Sequence, residues 1–338
     1  MTLKKQVERY ALEASPFHRM GRAIDLAGLL GVSQKQLREL IVRRIALYNF
    51  KEVCINGKNR SLSVPINEMR RVQERIKDLL GRIMLRPYLY SPRRGRAPVD
   101  NAVAHLNARI IVKLDVKQFY PSTTDEHVFQ FFHHRLGMAD DVAGRITKLC
   151  TINGKVPFGS PLSPILCALV HDDIFSRAAT WCQLDGETMS LWVDDLTISG
   201  DDVSGRLLRN IRRLIASKRL RPHKTQRVRG RRGAVITGTF IGRNGPAPGN
   251  KLHLSMIEKL RELENATSDE SRLGLTRSLI GLVNYFITVY PKDSEENTRL
   301  RGRLTWLHNL RRDLESNVIL TAARVRLAIV SDDVVPWN

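Results

Sequence analysis

Met189-Ser-Leu-Trp-Val-Asp194-Asp195-Leu-Thr-Ile-Ser-Gly200 sets two adjacent aspartates between runs of apolar and β-branched residues. Such runs favour strands and the Asp pair suits only the turn between them, so the stretch predicts a β-hairpin with two carboxylates at its tip. A third aspartate ends an apolar strand upstream, Arg109-Ile-Ile-Val-Lys-Leu-Asp115. Carboxylates crowded at a tight turn repel, and burying one unpaired would cost several kcal/mol. A divalent cation relieves that repulsion, and three hard oxygen donors suit Mg²⁺ if Asp115 converges on the pair. A solvent-exposed Asp-Asp turn is the ordinary alternative. The rest of the chain decides between the two.

The 338 residues, 42% of them hydrophobic, are ample for a real core and for one elongated enzyme body with two or three subdomains. A formal charge of +21 and a pI near 10.4 favour a polyanionic partner, nucleic acid first and an anionic membrane surface second. Its distribution is uneven. No acidic residue occurs between Asp202 and Glu258, whereas Arg206, Arg209, Arg212, Arg213, Lys218, Arg219, Arg221, Lys224, Arg227, Arg229, Arg231 and Arg232 crowd the first half of that interval. An ordinary solvated face mixes signs. Cys54, Cys150, Cys167 and Cys182 show neither CxxC pairing nor His-ligand spacing, which predicts reduced, mostly buried thiols and a cytoplasmic setting. No stretch approaches the roughly 18 apolar residues of a membrane span, and the Met-Thr-Leu-Lys-Lys-Gln start is not followed by a signal core, so no membrane partner is expected.

Along the chain, residues 1–50 read as helical. Apolar spacing over Ala23 to Ile41 breaks at Gly31 and restarts at Ser33, a helix N-cap candidate. A packing helix pair accounts for that pattern better than a DNA-reading helix-turn-helix, because no aromatic or polar reading face stands out. Tyr48 to Pro65 predicts a hairpin turning at Asn56-Gly57. A basic amphipathic helix is expected from Ile66 to Leu85, a short helix over Asn101 to Asn107, and helices from Asp125 and after Pro164. A basic helix over Val203 to Ser217, a strand over Ala234 to Gly242, and helices over Ser255–Val289 and Asn297–Leu327 complete the pattern. Interleaved strands and helices followed by a helical C-terminal part predict an α+β or α/β palm.

Three further elements bear on chemistry. Asp115 opens Asp-Val-Lys-Gln-Phe-Tyr120-Pro-Ser, where Tyr120 could wall an incoming sugar or simply pack in the core. Asn153 to Pro164 is a Gly/Pro loop just before a helix, whose backbone can approach an anionic ligand closely. Lys224, in Pro222-His-Lys-Thr, could serve a pyrophosphate leaving group as general acid or charge clamp, or be a solvated cation.

In order and spacing, Ile111-Val-Lys-Leu-Asp-Val-Lys-Gln-Phe-Tyr-Pro-Ser, Pro157-Phe-Gly-Ser-Pro-Leu-Ser-Pro, Trp192-Val-Asp-Asp and His223-Lys-Thr resemble the successive palm motifs of reverse transcriptases. Asn101-Ala-Val-Ala-His105 resembles the NAxxH element of the bacterial retron branch, Ile236-Thr-Gly238 its VTG element, and Gly281-Leu-Val-Asn-Tyr285-Phe its thumb helix. Trp192 stands where tyrosine or phenylalanine is usual, and Phe158 replaces a glutamine whose amide would contact template or nucleotide. Those two departures bear on fidelity and template positioning and leave the carboxylates untouched.

The resemblance implies an α+β right-hand polymerase fold. Residues 1–100 would form the N-terminal helices and fingers. Residues 101–245 would form the palm, an antiparallel sheet plus helices with some fingers elements interleaved. Residues 246–338 would form a helical thumb. It implies Asp115, Asp194, Asp195 and Lys224 as catalytic residues. Asp115, Val116, Asp194 and Asp195 would hold two Mg²⁺ ions roughly 3.5–4 Å apart, with Mn²⁺ a substitute. Arg60, Tyr120, Phe158 and Gly159 would meet the deoxynucleoside triphosphate. Trp192, Asn101, His105, Thr237, Gly238, Arg229, Arg231, Arg232 and Tyr285 would serve primer or RNA, with a packing role for His105 and Asn101 equally open.

By the same resemblance the enzyme would copy part of a cognate structured non-coding RNA from a 2′-hydroxyl of that RNA. It would leave a branched RNA–DNA product and act in anti-phage defence with an effector protein. Two other readings stand beside it. Another bacterial reverse transcriptase would be group II intron-like, usually with a maturase region after the thumb, or of the abortive-infection type, without both NAxxH-like and VTG-like elements. A non-catalytic RNA-binding scaffold would carry a decayed palm.

Overall fold

A computed structural model describes residues 8–55 and 57–332. In chain order the elements are α1 (Ala23–Leu30), α2 (Gln34–Val42), β1 (Tyr48–Ile55), β2 (Lys58–Pro65), α3 (Asn67–Leu80), β3 (Leu89–Ser91), α4 (Pro98–Val103) and β4 (Ile110–Lys117). Then follow α5 (Phe119–Ser122), α6 (Asp125–Gln130), α7 (Asp140–Cys150), α8 (Ser163–Val170), α9 (Asp172–Leu184), β5 (Thr188–Trp192), β6 (Asp195–Gly200), α10 (Gly205–Ser217) and β7 (Arg221–Arg229). The last are β8 (Ala234–Ile236), β9 (Thr239–Gly242), β10 (Gly245–Pro248), α11 (Asn250–Asn265), α12 (Asp269–Val289) and α13 (Glu295–Asp332). The architecture is α+β.

The chain divides into two compact units: the chain up to Arg96 with Ala108–Val228, and Ala97–Asn107 with the chain from Arg229 onward. These cuts follow packing, and they fall at other residues than the fingers, palm and thumb limits expected from sequence. No described helix is long and apolar enough to cross a membrane.

The first unit is built on a five-stranded sheet in the order β3-β5-β6-β4-β7, in which β5, β6 and β4 run antiparallel and β3 joins β5 in parallel. Ile111, Val112, Leu114 and Val116 of β4 and Leu196 and Ile198 of β6 are buried, as expected of central strands rich in β-branched residues. Helix α3 buries Met69, Val72, Gln73, Ile76, Leu79 and Leu80, the one-sided stripe that its periodicity predicts. Helix α2 opens on the expected cap: Ser33 accepts from the Gln36 amide, and the Gln36 side chain accepts from the Ser33 amide. Leu26, Leu30, Leu37 and Leu40 sink into the core, which makes α1 and α2 a packing pair. Helix α10 buries Leu207, Ile211, Leu214 and Ile215 and leaves Arg206, Arg209, Arg212 and Arg213 exposed.

Hairpin β1–β2 has the expected register, Ile55 opposite Lys58; of its two turn residues Gly57 has φ 71°, and Asn56 lies outside the described residues.

The second unit packs α4 and a three-stranded antiparallel sheet, β10-β9-β8, with helices α11–α13. Leu279, Val283, Phe286 and Leu307 lie at the centre of its helical core. The single strand expected over Ala234 to Gly242 is two strands. Thr237 (φ 47°) and Gly238 (φ 84°) turn the chain back so that Ile236 faces Thr239. Adjacent positive φ values favour this Thr-Gly turn over continued extension.

Candidate active site

The β5–β6 hairpin carries the acidic tip. Trp192 pairs with Asp195, so the turn is Val193-Asp194 alone and Asp195 opens β6 rather than sharing the turn as the sequence suggested. Asp195 pairs across the sheet with Asp115 of β4, and residues directly opposite on antiparallel strands face the same side. The distant third aspartate therefore arrives beside the pair through strand register. Val193 has φ 59°, a left-handed conformation that is an outlier for a β-branched residue and costs roughly 1–3 kcal/mol. Two backbone bonds hold it there. The Val193 amide donates to the Ser91 carbonyl at 3.3 Å, and the Val116 amide donates to the Asp194 carbonyl at 3.1 Å.

Electrostatics at the tip follow from that crowding. Burial, then the charges of Asp195 and Asp115, push the half-buried Asp194 up to about 6, with Arg60 pulling the other way. Asp195 reaches solvent along its strand, yet it is also raised, by the protein packed round it first and by Asp115 second, against Lys113. Tyr120 is raised by burial, with Cys167 and Asp194 adding to it, which keeps its hydroxyl neutral. Among the described residues no three His, Cys, Asp or Glu side chains stand grouped ready to enclose an ion. The donor set still fits a hard divalent cation. Three carboxylates share one electrostatic neighbourhood, and two of them are destabilised as anions, by burial first and by neighbouring carboxylate charge second.

The Pro157–Pro164 loop reaches the acids through Tyr120 and Arg60 and is stitched to β2. The Ser63 amide donates to the Phe158 carbonyl at 2.8 Å. Gly159 has φ 116°, and a Cβ there would stand 3.1 Å from Val64 Cγ2 and 3.4 Å from the Ser63 carbonyl oxygen, so only glycine allows this approach. From below, buried Gln73 ties the loop down. It accepts from Ser160 Oγ at 2.6 Å and donates to Tyr48 Oη and the Leu149 carbonyl at 2.6 and 2.7 Å. The Phe158 ring then stacks on Tyr120, centroids 6.0 Å apart at 28°, while the Arg60 guanidinium sits 5.3 Å over the Phe158 ring. Arg60, Phe158 and Tyr120 thus form one column beside the carboxylates.

The other expected residues are placed differently. Trp192 is half-buried at the end of β5, and the Val116 side chain is buried, leaving only its backbone at the site. Lys224 is exposed on the edge strand β7 with φ 22°, and no contact joins it to the carboxylates. In the second unit Asn101 and His105 are both buried, and among the described residues the Asn101 amide has no hydrogen-bond partner for either its nitrogen or its oxygen. Burial holds His105 down at about 4, a neutral ring. Thr237 Oγ1 donates to the Pro98 carbonyl at 2.9 Å, so the Ile236-Thr-Gly and Asn101-to-His105 segments share one packed region. Tyr285 Oη lies 2.6 Å from Thr239 Oγ1, next to Gly238. Arg229, Arg231 and Arg232 are exposed. Neither the Val193 conformation nor the approach of Lys113 to Asp195 has a local sequence signal; Gln73 does, as the one polar residue on the apolar stripe of α3.

A family model described as reverse transcriptase (RNA-dependent DNA polymerase) matches residues 50–238, the stretch that holds most of the β1–β2 hairpin, the Pro157–Pro164 loop and the acidic tip. Curated relatives include the retron Se72 reverse transcriptase of Salmonella heidelberg (strain 579083-10), 29% identical over 182 residues, 52% of this chain and 48% of that protein. The retron Ec86 reverse transcriptase of Escherichia coli is 26% identical over 54% of this chain and 58% of its own length. The retron Mx65 reverse transcriptase of Myxococcus xanthus is 29% identical over 82% and 70%. The chain thus spans about half the length of the first two. Among solved structures, apo telomerase from Candida tropicalis, truncated from the C-terminal domain, aligns at 12% identity and a TM-score of 0.41, over 62% of this chain and 59% of that one. Since the reverse-transcriptase model covers more than half of its residues, the chain belongs to the reverse transcriptase (RNA-dependent DNA polymerase) family.

Proposed function

We propose that this protein is an RNA-directed DNA polymerase of the retron type. It copies part of a cognate structured non-coding RNA into a branched, RNA-linked single-stranded DNA, and it works in anti-phage defence beside an effector protein. One observation carries the catalytic part: strand register sets Asp115 opposite Asp195 at the hairpin tip, within the electrostatic reach of Asp194.

The reaction joins a hydroxyl oxygen of the growing end to the α-phosphorus of a deoxynucleoside triphosphate. The bond from that phosphorus to the bridging oxygen breaks, pyrophosphate leaves, and the hydroxyl proton passes to solvent. Two Mg²⁺ ions, or Mn²⁺ in their place, held by Asp115, Asp194, Asp195 and the Val116 backbone, would acidify the attacking hydroxyl and neutralise the leaving group. The chain's own side chains bind and orient. Arg60 meets the triphosphate from its seat on Phe158, Tyr120 walls the sugar, and the Gly159 backbone lets the nucleotide approach. Lys224 is the candidate charge clamp for pyrophosphate. Trp192 packs at the primer side, and Arg229, Arg231 and Arg232 contact RNA phosphates.

Primer extension on an RNA template with Mg²⁺ tests the proposal. Wild type should extend and Asp194→Ala should not. A wild type that binds RNA without extending any primer refutes the polymerase and leaves the scaffold. Sequencing nucleic acid that co-purifies with the protein tests the branch, which fails if no covalent RNA–DNA hybrid is present.

A further inference from the structure

In the second unit, α11, α12 and α13 border an open hollow of about 210 Å³ that no part of the polymerase site uses. Half-buried His253 and Tyr290 give the lining its aromatic part, and buried Phe286 backs it, its ring 4.8 Å from that of His253. Met256 and Leu300 supply apolar lining, and Glu296, Arg299 and Arg303 stand exposed around it.

The hollow has a fixed frame. Buried Asn297 donates through Nδ2 to the Ile287 and Tyr290 carbonyls at 3.0 and 3.1 Å and accepts from Arg301 Nε at 2.8 Å. That clamp joins the start of α13 to the end of α12 and fixes Tyr290 on its wall. Arg299 is paired with Glu295, whereas Arg303 has no carboxylate partner among the described residues.

We infer that this hollow seats one unstacked nucleotide of the single-stranded part of a bound RNA. A flat base fits an aromatic and apolar slot, and the phosphate on its sugar complements the Arg303 guanidinium, which no carboxylate among the described residues neutralises. The Glu296 carboxylate adds an acceptor for an N–H group on the edge of the base, such as N3–H of uracil. Proteins bind unpaired bases by such stacking on aromatic side chains, whereas a base paired within a helix cannot enter a slot. The inference rests on the RNA partner of the proposed function.

The test uses the whole protein and a ten-residue oligouridylate with one 4-thiouridine. Photocrosslinks should map to peptides carrying His253 or Tyr290. Tyr290→Leu should weaken binding by roughly 5- to 100-fold without changing its salt dependence. Arg303→Glu, an exposed change that leaves the fold alone, should weaken binding and lower the salt slope by about 1 or more. Crosslinks confined to other segments, or affinities within twofold of wild type for both variants, overturn the inference. Primer extension with the same wild-type preparation reports on the polymerase separately, so an inactive enzyme with pocket crosslinks refutes only the catalytic reading.

Discussion

Replacing Asp194 with asparagine should stabilise the metal-free protein while abolishing polymerisation. Asp194 is raised from 3.8 in an unfolded chain to about 6 in the fold, by burial and by Asp195 and Asp115. A raised carboxylic acid contributes no penalty below pH 3.8. The penalty grows as pH rises to about 6 and is fully present above that. Two units at 1.36 kcal/mol each set an upper limit of about 3 kcal/mol. Solvent at the half-buried tip screens part of it, leaving about 1–2 kcal/mol.

Asparagine keeps the shape and removes the charge. At pH 8 in EDTA the variant should therefore melt about 2–8 °C above wild type, at roughly 2–4 °C per kcal/mol for a unit of this size. Near pH 4 the two should converge. Added Mg²⁺ should raise the wild-type melting temperature as binding saturates, and should raise that of the variant far less. Scanning calorimetry or circular dichroism reads all of this. Equal melting at pH 8, or a difference that persists at pH 4, would refute the account of charge crowding at the tip.

Phe158→Ala removes the seat of Arg60, worth about 0.5–1 kcal/mol at an exposed cation–π contact, and should raise the nucleotide KM about 2- to 5-fold with a smaller effect on kcat. Nucleotide titrations on a homopolymer template check this, and an unchanged KM sinks it. Gly159→Ala meets Val64 at 3.1 Å in a conformation alanine rarely adopts, so the urea midpoint should fall by the equivalent of about 1–3 kcal/mol. His105 is held at about 4 against 6.5 when unfolded, so the fold refuses a proton that the unfolded chain accepts. Stability should fall as pH drops from 6.5 towards 4, by up to about 3 kcal/mol, and His105→Gln should flatten that slope by as much as ~1.4 kcal/mol per pH unit.

What the chain declared in advance was local. Alternating apolar residues around Asp194-Asp195, the Gly57 turn, the Ser33 cap and the long periodic helices each write their structure into a few neighbouring positions. The strand β7 escaped notice because Arg221–Arg229 is cationic and lacks an apolar alternation, and its place at the sheet edge supplies the order. The β8–β9 turn is hidden because strand-favouring residues flank Gly238 closely on both sides, Val235-Ile-Thr before it and Thr239-Phe-Ile after it. The column of Arg60, Phe158 and Tyr120 depends on two segments about a hundred residues apart docking through Ser63 and Gly159, and no window of sequence contains that contact. Grouping of residues 97–107 with the C-terminal unit is likewise a long-range fact.

The hairpin tip combines two unfavourable features, a left-handed valine and mutually repelling carboxylates, and neither stabilises the protein as it stands. Both meet at the Val193-Asp194 turn, which the surrounding sheet has to hold in shape. The six-pair β4–β6 ladder and the Val116-to-Asp194 bond supply that restraint. A bound cation can relieve the repulsion but not the strain at Val193, because the strain belongs to the backbone. The two features therefore have different uses. Repulsion gives the site affinity for positive charge, and the strained turn fixes where Asp194 points before any charge arrives. In a reaction that proceeds by positioning and electrostatics, orientation set in advance keeps reorganisation from being required at the moment of bond formation.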